Sequence, residues 1–373
     1  MDCDNAWSDP INVWRTIDNV SKNLNFMQSI ANTYHTNKIL KCGSLGQDSN
    51  CDSTIVCTQA QGTGSGPGGY EVTSSLIMIH EMYKSYHDAL LEISSILLAG
   101  LQSFENDFAP LPTVESDTLL QILLDLVGLG ALVIAAPYFD KYLLEMPFFI
   151  AHPGAGQTLE DSTYAIIQTG TSTAKDLSIS SNEVAEWTPA RQAEFSAYLG
   201  QVICAWANMT EFATKYLFNG SDPSIQTLTT LISNGKQIEG SEDGNARQDP
   251  SDSPDDASLQ ASIVRAFYAF SIPQAWSVSD TKAFIMDAGY PCGTVNPLEG
   301  WIRDNVAAAT YGCFNGNIYY PVNPAGDAES CPATSCDGCV PLCTPGYFSQ
   351  PPGLDKLDGS AYGGITIGDL ITG

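Results

Sequence analysis

Three stretches of this chain repeat their apolar positions at alternating spacings of three and four, which lines up one face of an α-helix. The first runs through Val13, Ile17, Val20, Leu24 and Met27, with Ser8 and Asp9 placed to cap it and Pro10 suited to its first turn. The second runs through Leu76, Ile79, Tyr83, Tyr86, Leu90, Ile93 and Leu97 until Pro110 and Pro112 stop it. The third opens at Thr188-Pro189, carries Phe195, Leu199, Val202, Trp206, Met209, Ala213 and Tyr216, and ends at Asn219-Gly220. Seams of this kind predict an elongated helical bundle.

The patterning changes elsewhere. Leu126 to Phe139 is a run of fourteen uncharged residues flanked by Asp125 and Asp140. A single helix crossing a bilayer needs about 20 apolar residues, so a buried core helix ended by Pro137 is the expected role. The alternative is a membrane-seeking hairpin over 119–150, led by Leu126, Leu129, Leu132 and Ile134. Between Glu239 and Asp256 there are seven acids and one base among Gly, Ser and Pro, the mark of a solvated segment. A short helix, about Ala257 to Phe270, is expected next. After Ile272-Pro273 the sequence turns to short β-like runs, with Asn315-Gly316 at a hairpin position. The predicted fold is therefore mainly α: a helical bundle over 1–258, with its acidic linker at 235–258. A short helix and a small disulfide-rich, β-containing unit would follow over 259–373.

Charge narrows the function. With 42 acids against 15 bases the formal charge is -27, which excludes nucleic acid as a partner because phosphate binding needs clustered Lys and Arg. Cysteine placement sets the compartment. Ten of the eleven lie near the ends: Cys3, Cys42, Cys51 and Cys57, then Cys292, Cys313, Cys331, Cys336, Cys339 and Cys343. In loop-like sequence these predict disulfides and an extracellular protein. Cys204, inside the third helix beside Trp206, is expected to be a buried free thiol. Sequons at Asn19, Asn208 and Asn219 agree with secretion. The start, Met-Asp-Cys-Asp, has no signal-peptide pattern, so Met1 reads as an initiator placed on a mature chain.

One resemblance rests on particular residues: Ala283-Phe-Ile-Met-Asp-Ala-Gly-Tyr-Pro-Cys292, Cys313-Phe-Asn-Gly-Asn-Ile-Tyr-Tyr320, and Pro352-Gly-Leu-Asp-Lys-Leu-Asp-Gly359 with Gly363-Gly-Ile. In these the chain resembles an uncharacterised family of fungal secreted cysteine-containing proteins, which implies secretion but no activity. A looser similarity, of layout only, is to helical modules attached to fungal killer-toxin-type chitinases. It comes without a chitinase catalytic motif, so it implies no hydrolase.

Local motifs supply little chemistry. The spacing Cys331-x4-Cys336-x2-Cys339-x3-Cys343 suits zinc by its letters, but an oxidising compartment favours a disulfide knot. His80-Glu81-x-x-Lys84-x-x-His87-Asp88 fails as a zinc helix because position 84 is Lys. Its two histidines stand about 10 Å apart along the axis. A polar flank with a Lys84–Asp88 pair is expected there. Gly64-x-Gly-x-x-Gly69 lacks a strand before it and reads as a flexible connector. The acids Asp249, Asp252, Asp255 and Asp256 lack the spacing of a calcium loop. Neither metal nor cofactor is called for, and no catalytic residue can be named.

Two functions remain. The first is a secreted, non-catalytic interaction protein, toxin- or effector-like, acting at a cell wall or membrane; the missing motifs weigh against an enzyme. The second is a secreted glycoside hydrolase using a carboxylate pair on a polysaccharide. For it, Glu115, Glu145 and Asp287 sit in apolar sequence, and Tyr319, Tyr320, Trp187 and Trp276 are aromatics suited to a sugar site.

Overall fold

The computed structural model describes residues 3–17, 24–36, 38–51, 66–109, 204–233, 256–279, 281–299, 302–324 and 348–372. Over these the chain is mainly α-helical, with a smaller β-containing unit near the C-terminus. The membrane-seeking candidates Leu126, Leu129, Leu132 and Ile134, the acidic segment up to Asp255, and Cys57, Cys331, Cys336, Cys339 and Cys343 lie outside the described residues. Among those described, no helix is long and apolar enough to cross a membrane.

The helices are α1 (Cys3–Val13), α2 (Phe26–Thr33), α3 (Gly66–Phe108), α4 (204–217), α5 (Asp222–Ile232), α6 (Asp256–Val278), α7 (Asp304–Thr310) and α8 (Ile367–Thr372). Two compact units divide them. One takes in the residues up to Ser95 and those of α4, α5 and the start of α6 up to Ile263. The other takes in α3 from Ile96 and the chain from Val264 onward.

In the first unit the seam of α3 is buried along Leu76, Ile79, Tyr83, Tyr86, Leu90 and Ile93. The first predicted helix is in fact two. α1 begins at Cys3, so Pro10 lies inside it, and a new helix starts after Asn25, whose side chain accepts from the Gln28 N–H at 2.8 Å. A capping side chain restarts a helix wherever it can satisfy an orphan N–H, and apolar spacing carries no record of such a break. Trp7 and Trp14 then bridge to distant chain: Trp7 Nε1 donates to Thr229 Oγ1 at 2.8 Å, and Trp14 Nε1 donates to the Gly220 carbonyl at 2.8 Å.

Two further boundaries shift. α3 begins inside the Gly-rich strip at Gly66, so Gly66–Gly69 is helical and not a connector. α6 runs through Pro273 to Val278, well past the expected end. A proline costs one helical hydrogen bond and some ring crowding. Burial of Ile272, Ala275 and Trp276 around it offsets that cost.

The second unit carries the sheet, β1 (Phe284–Pro291), β2 (Gly312–Phe314), β3 (Asn317–Pro324) and β4 (Phe348–Ser349). Its order is β1-β3-β2, with β4 also pairing β3, all antiparallel. Asn315 and Gly316 both take positive φ, 47° and 82°, and form the two-residue hairpin turn between β2 and β3. That double left-handed step is why Asn-Gly stands there. Ile302, Val306, Ala307, Ile318, Tyr320 and Val322 make the core beneath the sheet.

Candidate functional site

The end of α6, the start of β1, Pro321 of β3 and Leu370 of α8 enclose a groove of about 530 Å³ in the second unit. Its walls are Pro273, Trp276, Ser277, Thr281, Lys282, Ala283, Phe284 and Ile285. Hydrogen bonds and strand pairing fix several of these residues. Trp276 donates from Nε1 to the Pro352 carbonyl at 2.8 Å. The backbone N–H of Thr281 returns to the Trp276 carbonyl at 2.8 Å, turning the chain tightly out of α6. The Lys282 N–H donates to Asn323 Oδ1 at 3.0 Å, and Phe284 pairs with Val322 across the sheet. Phe284 meets Phe348 edge-on at 6.0 Å yet remains 42% exposed, and Ile285 beside it is also exposed.

This groove offers apolar faces, two hydroxyls and one ammonium. Among its described lining residues there is no Asp or Glu. Among the described residues no group of His, Cys, Asp and Glu could hold a metal.

Of the aromatics proposed for a sugar site, Trp276 lines the groove. Tyr320 is buried in the core beneath the sheet, where desolvation raises its phenol pKa, and Tyr319 is half-buried. Trp187 lies outside the described residues, as do the acids Glu115 and Glu145. Asp287 is not in an apolar setting: it stands exposed on β1 and accepts from the Gly289 N–H at 2.8 Å. Phe284, missing from the sequence reading, is the groove's most open aromatic.

The histidine cluster resolves differently from expectation. His80 is no polar flank but is fully buried against the N-terminal cysteine loop. Its Nδ1 lies 2.9 Å from the Cys42 carbonyl and its Nε2 3.1 Å from Ser49 Oγ. A carbonyl only accepts, so Nδ1 carries the proton and the ring ties α3 to the loop. Lys84 and Asp88 form the expected i,i+4 pair at 2.8 Å. The pair and His87 are structural in consequence: burial pushes the Asp88 carboxyl up, but hydrogen bonds from His87 and Lys84 hold it below its ordinary pKa.

Two disulfides are formed among the described residues, Cys42–Cys51 and Cys292–Cys313. Cys3 heads α1. Cys204 is free, but it is exposed and not buried. It falls between the seam positions Val202 and Trp206, so the stripe itself turns it outward. Of the sequons, Asn208 and Asn219 are both exposed, and Asn19 lies outside the described residues.

No family model and no solved structure matches the chain. Two fungal proteins do. The chain is 39% identical over 392 residues to "Probable chitinase LysM18" of Penicillium expansum, covering 100% of this chain and 27% of that protein. It is 29% identical over 398 residues to "Secreted chitinase LysM12" of the same organism, covering 100% of this chain and 26% of that protein. The chain thus spans about a quarter of the length of the curated relatives it matches.

These matches correct three readings. The similarity extends end to end and is to proteins named as chitinases, which replaces the resemblance to an uncharacterised fungal family. The assignment as a non-catalytic, toxin- or effector-like interaction protein gives way as well, and with it the lean away from an enzyme. The reason is physical. A glycosidase needs two carboxylates brought together by the fold, and this chain spans only about a quarter of the relatives' length, so a missing chitinase motif in it does not decide what the whole protein does.

Proposed function

We propose that this chain works in the extracellular breakdown of chitin, as part of a secreted glycoside hydrolase. The observation that carries the reading is the 39% identity to a probable chitinase across the whole of this chain. The secreted relative and two formed disulfides support an extracellular location. A cell-wall glycan is accordingly the partner. Hydrolysis would use two carboxylates about 5–10 Å apart, one protonating the leaving oxygen and the other serving as nucleophile or general base. Incubating the protein with soluble N-acetylglucosamine oligomers and with insoluble chitin tests the reading. Release of shorter N-acetylated products above a heat-denatured control is the expected result. No release from either substrate overturns it.

A further inference from the structure

We propose that Asn219 is a modification site whose side-chain amide carries an N-linked oligosaccharide, on the open side of the turn between α4 and α5. The sequon is Asn219-Gly220-Ser221. The inference needs only a secreted chain and stands apart from the chitin-directed reading above. Place is the first feature that singles this sequon out. Asn219 is exposed just past the end of α4, while Gly220 behind it is buried, its carbonyl held at 2.8 Å by Trp14 Nε1. Asp222 and Pro223, which follow, are exposed as well, so a bulky polar chain attached here meets solvent. Asn208 offers a contrast. It is exposed too, but it lies within α4, and its sequon partner Thr210 is buried with its hydroxyl donating to the Trp206 carbonyl at 2.9 Å.

The second feature is how the fold uses the amide. Asn219 Oδ1 accepts from the Ser221 N–H at 2.7 Å and from the Ser224 hydroxyl at 3.0 Å. Ser221 in turn caps α5, its hydroxyl accepting from the Ser224 N–H at 3.4 Å. All of this runs through the oxygen; among the described residues nothing pairs with Nδ2. Glycosylation replaces one of the two Nδ2 hydrogens and leaves the carbonyl an acceptor, so the turn keeps both bonds. In the step, Nδ2 bonds to C1 of the reducing-end sugar of a lipid diphosphate-linked oligosaccharide. The C1–O bond to the diphosphate breaks, the diphosphate leaves with that electron pair, and Nδ2 gives up one proton. The bonds to Oδ1 then hold the amide plane, so the first sugar leaves the turn in one direction.

The test is peptide mapping by mass spectrometry on the full chain secreted from a fungal host. Release with peptide N-glycosidase in heavy-oxygen water converts a glycosylated asparagine into labelled aspartate, and the label should fall on Asn219. An unlabelled Asn219 overturns the inference, and this reading on the parent protein decides it even should a variant fail to fold. Ser221→Thr keeps the hydroxyl and should keep the label, whereas Ser221→Ala should lose it; a label surviving in Ser221→Ala overturns attachment through this sequon. Asn219→Asp and Asn219→Ala both lack the glycan, so their difference reports the oxygen alone. Asn219→Ala should melt about 2–4 °C below Asn219→Asp, which retains an acceptor for Ser221 and Ser224. Equal melts would overturn the separation of roles between Oδ1 and Nδ2.

Discussion

Trp14 and Phe26 close over Gly220 in the first unit, with ring centroids 5.5 Å apart, and Phe108 closes over Gly353 in the second. Both glycines have positive φ, 78° and 73°, so both joints use the one residue that turns left-handed without a side chain in the way. The disulfides separate the two regions. Cys42–Cys51 is buried in a loop that His80 also holds, so the bridge, the histidine and the core act together. Cys292–Cys313 joins the end of β1 to β2, with Cys313 exposed, in a sheet whose pairing already fixes the same strands. One region places its covalent bond inside its packing, and the other places it at the surface, where it can be lost while packing persists.

The glycines test the shared half of that comparison and carry the largest effect. A Cβ on Gly220 would lie 2.6 Å from Phe26 Cβ and 2.8 Å from Trp14; one on Gly353 would lie 2.6 Å from Phe108 Cδ1 and 2.9 Å from the Asp107 carbonyl. Each alanine therefore adds a left-handed residue of about 1–2 kcal/mol to overpacking of about 1–3 kcal/mol. Urea unfolding should show a loss of about 3 kcal/mol for either variant. Gly220→Ala should be the worse, because Phe26 Cβ is anchored to its backbone while a ring atom of Phe108 can swing. Equal stability of Gly220→Ala and the parent protein would mean that Trp14 and Phe26 do not close on Gly220.

The disulfides test the half in which the regions differ. By loop length each bridge stabilises its unit by roughly 3 kcal/mol. Reductant without denaturant should open Cys292–Cys313 first, read by alkylation and peptide mapping, while Cys42–Cys51 stays oxidised until the first unit unfolds. The second unit should keep its hairpin, since Asn315-Gly316 sets that turn independently of the sulfurs. Prior reduction of Cys42–Cys51 would contradict the contrast drawn between them.

How much of this was legible in the sequence depends on how local the cause is. The α3 seam from Leu76 to Ile93 is visible because burial repeats at every turn, and Asn315-Gly316 because the turn needs those two residues. His80 sits four residues after Leu76 and so shares its buried face, yet its partners, the Cys42 carbonyl and Ser49, come from a loop whose path spacing does not encode. The groove is less legible still. Its walls come from 273–285, Pro321 and Leu370, and an exposed Phe284 reads in sequence as one more apolar strand residue. The function proposed above was hidden for the same reason, since a glycosidase's carboxylate pair is assembled across distant segments.

The smallest effect separates the regions by acid. Each unit holds a half-buried carboxylate below its ordinary pKa: Asp88 within α3, and Asp369 in α8. Burial pushes Asp369 up, but the Thr366 hydroxyl and N–H, both at 2.8 Å, and Arg265 at 2.6 Å outweigh it. A carboxylate with a lowered folded-state pKa stabilises above its unfolded value of about 3.9, and the contribution is lost as pH falls through the folded value below that. The last helix should therefore stay docked at pH 4, near the isoelectric point of about 4.1, and loosen only below it. Solvent screening keeps the effect under about 1 kcal/mol. Asp88 sits mid-helix, where its neighbours hold the backbone regardless, while Asp369 fastens a short helix near the chain end. Hydrogen exchange between pH 5 and pH 3 should show protection falling over 366–372 and not around Asp88, and Asp369→Asn should remove the dependence. Loss of protection already at pH 5 would show that something other than this carboxylate holds α8 in place.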